Sequence, residues 1–253
     1  MIPIRAKLKE SGVTFGCWLA IGSSHSAEMV GQSGFDWVII DNQHGGLSEA
    51  QLLPLFQALD LTGTPALVRV PWLDPALIMR ATDLGAAGVV VPMVNTPQDA
   101  LAAVQVLRYP PRGIRSFGPV RNYYSADGQS EDPLCLVMIE TVEALENLDA
   151  IAATPGLDGL LVGPVDLALS MGFGLSLEMP EPVLDAIERV GDVCREKGLI
   201  CASVALGMAN AAELLRRGVR FLSSGADSLF LKRAAAQEVQ DLRALDVGGA
   251  GKG

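Results

Sequence analysis

Two histidines occur in the chain, and His44 stands in Asp41-Asn42-Gln43-His44-Gly45, directly after the apolar run Phe35–Ile40. An acid and an imidazole this close at the end of a buried strand suit general acid–base work. Three more apolar runs end on chemistry-bearing groups: Ala66-Leu67-Val68 on Arg69, Leu134–Ile139 on Glu140, and Leu160–Val165 just before Asp166. Glu140 and Asp166 offer hard carboxylate oxygens for Mg²⁺ or Mn²⁺. Arg69 can grip a carboxylate or a developing oxyanion with two parallel N–H groups. The turn Gly163-Pro164-Val165 suggests backbone N–H donors at Gly163 and Val165 for an anionic oxygen. Plainer roles stay open for each: Asp166 as a helix cap, Glu140 as a solvent-facing strand end, Arg69 as the partner of a mouth acid, His44 as a structural side chain. His25, in Gly22-Ser23-Ser24-His25-Ser26, reads as a helix-start residue.

Polar groups delivered at strand ends need a sheet whose C-terminal edge is a site. Eight apolar runs can supply it: Thr14–Leu19, Phe35–Ile40, Ala66–Val70, Gly88–Val94, Leu134–Ile139, Gly159–Val162, Leu199–Val204 and Phe221–Ser224. They are rich in Val, Ile and Leu without clean alternation, as parallel strands buried on both faces are. Between them, helical spacing runs over Ser48–Leu59 (stripe Leu52, Leu55, Phe56, Leu59), Pro75–Leu84, Pro97–Leu107, Pro182–Lys197 and Ser228–Leu245. Asp74 and Thr96 precede first-turn prolines as N-caps. Strand–helix alternation without a long linker predicts an α/β fold, a single-domain (β/α)₈ TIM barrel over residues 1–247; a doubly wound open sheet is the competitor. The tail 248–253 is expected to be disordered. The longest irregular stretch, Tyr109 to Pro133, carries Arg112, Arg115 and Arg121, which can meet a distal carboxylate of a substrate or lie solvated on the surface.

Composition narrows the partners. With 49% hydrophobic residues the chain can bury a large core, and its net charge of −10 argues against nucleic acid or an anionic membrane surface. No targeting segment or membrane-length apolar run is visible, so a cytoplasmic protein is expected. Cys17, Cys135, Cys194 and Cys201 lie in apolar or helical pattern and read as reduced core thiols. None of the lysines ends a strand, which argues against a Schiff-base aldolase.

The chain resembles the HpcH/HpaI aldolase family, the metal-dependent pyruvate aldolases. The likeness runs from Gly16-Cys17-Trp18-Leu19 through Gly34-Phe35-Asp36-Trp37, Asp41-x-x-His44, Val91-Pro92-Met93-Val94, the run Arg108 to Arg115, Ile139-Glu140-Thr141 and Val162 to Leu167, to the helix after Phe221–Asp227. It implies a (β/α)₈ barrel, assembled as a homo-oligomer (trimer or hexamer) that exchanges a terminal helix. It also implies reversible cleavage of 4-hydroxy-2-oxo acids to pyruvate, or a related 2-oxo acid, and an aldehyde through an enolate stabilised by Mg²⁺, Mn²⁺ or Co²⁺. By motif, Glu140 and Asp166 would hold the metal, and His44, oriented by Asp41, would move the proton. Arg69 would face the oxygen that becomes negative, with Trp18 beside the substrate, and Asp83 would support a neighbouring subunit's histidine. Departures are Gln43 where many relatives have glutamate, Gly45-Gly46 after the histidine, and the segment Ser116 to Tyr124. An acyl-CoA lyase of the citrate-lyase-β or malyl-CoA-lyase type and a non-catalytic 2-oxo-acid-binding barrel are the rival readings.

Overall fold

The computed structural model describes residues 4–118, 121, 132–175 and 178–245. Eight parallel strands close into a barrel in chain order: β1 (Thr14–Leu19), β2 (Trp37–Asp41), β3 (Ala66–Arg69), β4 (Gly88–Val91), β5 (Leu134–Ile139), β6 (Gly159–Val162), β7 (Ile200–Ala205) and β8 (Phe221–Ala226). Outside them run α1 (Ile4–Ser11), α2 (Ser24–Gly31), α3 (Leu52–Thr62), α4 (Pro75–Asp83), α5 (Pro97–Leu107), α6 (Val142–Glu146), α7 (Leu148–Ala152), α8 (Pro164–Ser170), α9 (Glu181–Lys197), α10 (Met208–Arg216) and α11 (Asp227–Ala244). The expected strands are all present and the open-sheet alternative is excluded by the β1–β8 pairing.

Two separate apolar layers hold the barrel. Trp37, Ile39, Leu67, Val90, Leu134, Leu136, Met138 and Leu161 fill the interior, while their neighbours in sequence, Val38, Ile40, Val68, Val89, Cys135 and Val137, pack under the helices. Side chains alternate across a strand, so both faces are apolar here and the alternation is hidden in composition. Trp37 and Phe221 stack with ring centroids 3.7 Å apart at the bottom of the interior, where Ile4 of α1 joins them. Gly16 makes room for that stack: a Cβ there would come within 2.3 Å of the Trp37 ring. The four cysteines are free and buried, and burial first of all pushes the Cys17 and Cys135 thiols up to about 12, which leaves them unreactive.

The helices follow the expected stripes. Leu52, Leu55, Phe56 and Leu59 are the buried face of α3, although Glu49–Gln51 form a separate 3₁₀ turn before it. Asp74 accepts from the Ala76 and Leu77 N–H groups and Thr96 from that of Asp99, as N-caps. His25 lies exposed in the first turn of α2, whose N-cap is Ser23. β4 stops at Val91, short of the expected Val94, because Pro92 cannot donate to the ladder and Met93 takes a left-handed conformation (φ 55°). Among the described residues no helix is long and apolar enough to cross a membrane.

Asp227 ties the mouth together. Its buried carboxylate accepts from the N–H groups of Ala20 (2.8 Å), Ile21 (3.3 Å) and Ser228 (2.8 Å) and from the Ser26 hydroxyl (3.0 Å). The loop after β1 is thereby fixed to the start of α11. Replacing Asp227 with alanine strands these donors, a loss of roughly 2–4 kcal/mol by the usual cost of charged hydrogen bonds. Urea unfolding should show that loss as a lower midpoint at unchanged slope.

Candidate active site

Period-two alternation places the site. Asp41 lies two residues beyond interior Ile39, Arg69 two beyond interior Leu67, Glu140 two beyond interior Met138, and Gly163 two beyond interior Leu161. All four therefore belong to the inward-facing set at the C-terminal mouth. The mouth opens into a cavity of about 450 Å³ lined in part by Trp18, Asp41, Arg69, Gly163, Val165 and Asp166.

Asp41 and Arg69 are register partners on β2 and β3 and form a two-pronged pair, Nε to Oδ1 at 2.9 Å and Nη2 to Oδ2 at 2.7 Å. The guanidinium lies over the Trp18 ring, 4.5 Å from its centroid, and the Trp18 indole N–H donates to the Ser223 hydroxyl at 2.9 Å. Arg69 is thus held by an edge and a face, with Nη1 free of hydrogen bonds among the described residues. Asp41 Oδ1 also accepts from the N–H groups of Gln43 (3.2 Å) and His44 (3.1 Å). This corrects one expectation. The Asp41 carboxylate shapes the His44 loop through its backbone and does not orient the imidazole, because its oxygens are engaged by Arg69 and the loop. His44 itself is exposed beside the mouth, and its imidazole has no hydrogen-bond partner among the described residues.

Glu140 is buried, and Oε1 accepts from the Met93 N–H at 2.7 Å. That bond explains the left-handed Met93, a conformation that costs a non-glycine residue about 1–2 kcal/mol. A Cβ on Gly163 would sit 2.7 Å from Glu140 Oε2, so the glycine makes room for that carboxylate. Burial pushes the Glu140 carboxyl above the ordinary carboxylate range; the Met93 N–H and Arg69 oppose the rise, and the Asp166 charge adds to it. Asp166 is exposed in the first turn of α8 and not on β6 itself. Neither carboxylate has a salt-bridge partner among the described residues, where no cluster of three or more His, Cys, Asp or Glu occurs either.

The other candidates are placed as follows. The Gly163 N–H is taken by the Ile139 carbonyl at 3.3 Å, so only Val165, whose N–H has no partner among the described residues, remains as an anion donor. Asp83 ends α4 at the barrel end remote from the mouth and pairs with Arg115 at 2.7 Å, so it does not join the mouth of its own chain. Arg112, Arg115 and Arg121 pair with Asp132, Asp83 and Asp60, and none lines the mouth cavity. Most of the segment Ser116 to Tyr124 and the whole tail 248–253 lie outside the described residues. Sequence reasoning missed Met93, whose role is its backbone, and Asp227. The rule that found Asp166, an acid just past a strand, also fits Asp227, but reading β8 as ending at Ser224 hid it.

A family model described as HpcH/HpaI aldolase/citrate lyase matches residues 14–234. The chain is 34% identical over 246 residues to a 5-keto-4-deoxy-D-glucarate aldolase of Citrobacter koseri, covering 94% of each protein. It is 36% identical over 256 residues to a hydroxypyruvate/pyruvate aldolase of Rhizorhabdus wittichii, covering 97% of this chain and 100% of the other. The crystal structure of an HpcH/HpaI aldolase/citrate lyase family protein from Burkholderia cenocepacia superposes with a TM-score of 0.82 at 31% identity, covering 92% of this chain and 95% of that one. With barrel and mouth agreeing with matches of this extent, the chain belongs to the HpcH/HpaI aldolase/citrate lyase family and is a carbon–carbon lyase of the aldolase kind.

Proposed function

We propose that this enzyme is a divalent-metal-dependent aldolase that reversibly cleaves 4-hydroxy-2-oxo acids into pyruvate, or a close 2-oxo acid, and an aldehyde. The observation that carries the reading is a buried carboxylate, Glu140, within electrostatic reach of Asp166 and Arg69 and without a salt-bridge partner among the described residues, at the mouth where Arg69 is clamped. Two oxygen donors, one held above its ordinary pKa by burial, fit a hard divalent cation, because such an ion offsets the charge that burial penalises. Glu140 and Asp166 would hold it, and Mg²⁺, Mn²⁺ or Co²⁺ bound there supplies Lewis-acid polarisation of a 2-oxo group. Arg69, with Nη1 free, stabilises the oxygen that gains negative charge when the carbon–carbon bond breaks. The Val165 N–H can add a second donor. His44 accepts the proton of the 4-hydroxyl group, and Trp18 supplies the apolar wall under Arg69. The relatives named as pyruvate-type and keto-acid aldolases support the same reaction class.

Oligomers complete the reading. Apart from Asp227, the helix α11 is largely exposed, with Leu231, Val239 and Leu242 facing solvent in the single chain. Apolar side chains along an 18-residue helix favour coverage by another copy, as a trimer or hexamer. In such an assembly Asp83 can serve only a neighbour's His44, since α4 carries it away from its own mouth.

Deuterium exchange of the pyruvate methyl group tests the chemistry without choosing an aldehyde. Chelator-stripped protein in D₂O should exchange only when Mg²⁺, Mn²⁺ or Co²⁺ is added; no exchange with any of them overturns the proposal. His44→Ala should slow aldol cleavage about 10²–10⁴-fold, the usual worth of a positioned acid–base group. Its cation-induced rise in Tm should persist, and loss of that rise would make the imidazole a ligand.

A further inference from the structure

Asp41 fixes only the edge of the Arg69 guanidinium. Two hydrogen bonds to one carboxylate leave the plane free to turn about the line joining the carboxylate oxygens, and the Trp18 face, 4.5 Å away, removes that freedom. The face must itself be held, because the outer torsion of an aromatic side chain is broad and sets the ring's tilt poorly. Here the polar edge of the ring is tied down. The Trp18 indole N–H donates to the Ser223 hydroxyl at 2.9 Å, and that hydroxyl donates to the Ser203 carbonyl at 3.3 Å. Ser223 is fully buried, so bulk water cannot replace it as the acceptor.

The backbone is shaped for this contact. β1 and β8 pair Gly16 with Ser223 but Trp18 with Ala226, so β8 carries one extra residue between those rungs, as in a bulge. Gly225 sits in it with φ 72°, and its missing Cβ admits the Phe230 ring. Ser223 remains in the inward-facing set, two residues beyond interior Phe221 and level with Gly16, where no β1 side chain competes for its hydroxyl.

We infer that Ser223 is a positioning residue for the reaction: by holding the Trp18 indole it sets the plane on which Arg69 rests, and so the direction of the Arg69 N–H groups at the mouth. In the aldolase reading, on which this role rests, Arg69 faces the oxygen that becomes negative. A donor aimed at developing charge works only when its direction is fixed beforehand. Ser223 touches no substrate; it acts through two contacts, hydroxyl to indole and indole to guanidinium.

The test is deuterium exchange of the pyruvate methyl group with Mn²⁺ present, read as separate kcat and KM values. Ser223→Ala removes only the hydroxyl and should lower kcat about 10- to 100-fold, up to the cost of an ångström's misplacement, with KM for pyruvate nearly unchanged. Ser223→Cys, of similar size but a weaker acceptor, should fall between alanine and wild type. Two cycles separate positioning from support of the fold. Trp18→Phe keeps a ring face without the N–H, and Arg69→Lys removes the fork that rests on it; in either background Ser223→Ala should lower kcat no further. Ser223→Cys runs the same cycles if the alanine variant does not fold. Wild-type kcat in Ser223→Ala, or a loss that multiplies in full onto both backgrounds, overturns the inference and leaves the aldolase reading intact. Wild type that exchanges no pyruvate protons with Mg²⁺, Mn²⁺ or Co²⁺ overturns both.

Discussion

Glu140→Gln is expected to abolish metal-dependent turnover while leaving the barrel folded. Glutamine keeps the length and the acceptor that the Met93 N–H needs at 2.7 Å, and removes only the charge. Burial raises the Glu140 pKa, so the ionised form is the disfavoured one in the metal-free protein. Stability from this group is therefore full at low pH and is lost as pH rises through its elevated folded pKa. The amide should remove that loss: at neutral pH the metal-free variant should be no less stable than metal-free wild type. Added Mn²⁺ should separate the two in the opposite direction. Wild type at a hundredfold excess over Kd gains about 2.7 kcal/mol, and a chain of this size shifts about 2–4 °C in Tm for each kcal/mol. Glu140→Gln should gain almost nothing. Asp166→Ala should lose the same cation response with little effect on the metal-free protein, because Asp166 is exposed. Full activity in either variant would remove the metal assignment, and an intact Mn²⁺ shift in both would move the cation elsewhere.

Those two carboxylates were legible by one rule. Glu140 and Arg69 could be found because a strand buried on both faces is a continuous apolar run, and the first charged residue after it marks the mouth. The same rule located Asp166, although a proline turn carries it onto α8. Strand ends themselves were less legible. β4 reads as apolar to Val94, yet the chain leaves the sheet at Val91, where Pro92 has no N–H for the ladder and the Met93 N–H turns to Glu140, 47 residues away. A tertiary demand of that kind leaves no periodic trace. Short helices such as α6 and α7 hold too few turns for a stripe to show. The partner of Asp41 was misjudged for a related reason. Proximity in sequence pointed to His44, but register across β2 and β3 delivers Arg69, and sequence spacing says nothing about which residues a barrel places side by side.

Arg69→Lys should lower kcat/KM on the order of 10²–10³-fold, the range seen when one oxyanion donor is lost. Lysine keeps the charge and loses the geometry: it cannot pair with both Asp41 oxygens, cover the Trp18 ring and still offer a fixed N–H. Most of the loss should fall on kcat, since the interaction strengthens as charge develops. Arg69→Ala mixes two effects. Asp41 and Arg69 side chains are only 9% and 12% exposed, so truncation leaves a carboxylate desolvated and unpaired, at about 3–5 kcal/mol of stability. The orphaned Asp41 also holds the Gln43 and His44 N–H groups, so the loop that carries the proposed base should loosen with it. The double variant Asp41→Asn/Arg69→Gln separates the causes, because two neutral amides can pair without a buried charge. Its unfolding midpoint should recover most of what Arg69→Ala loses, while its turnover should stay low. A double variant that regains both would reduce Arg69 to a structural cation and shift stabilisation of the developing charge onto the bound metal and the Val165 N–H.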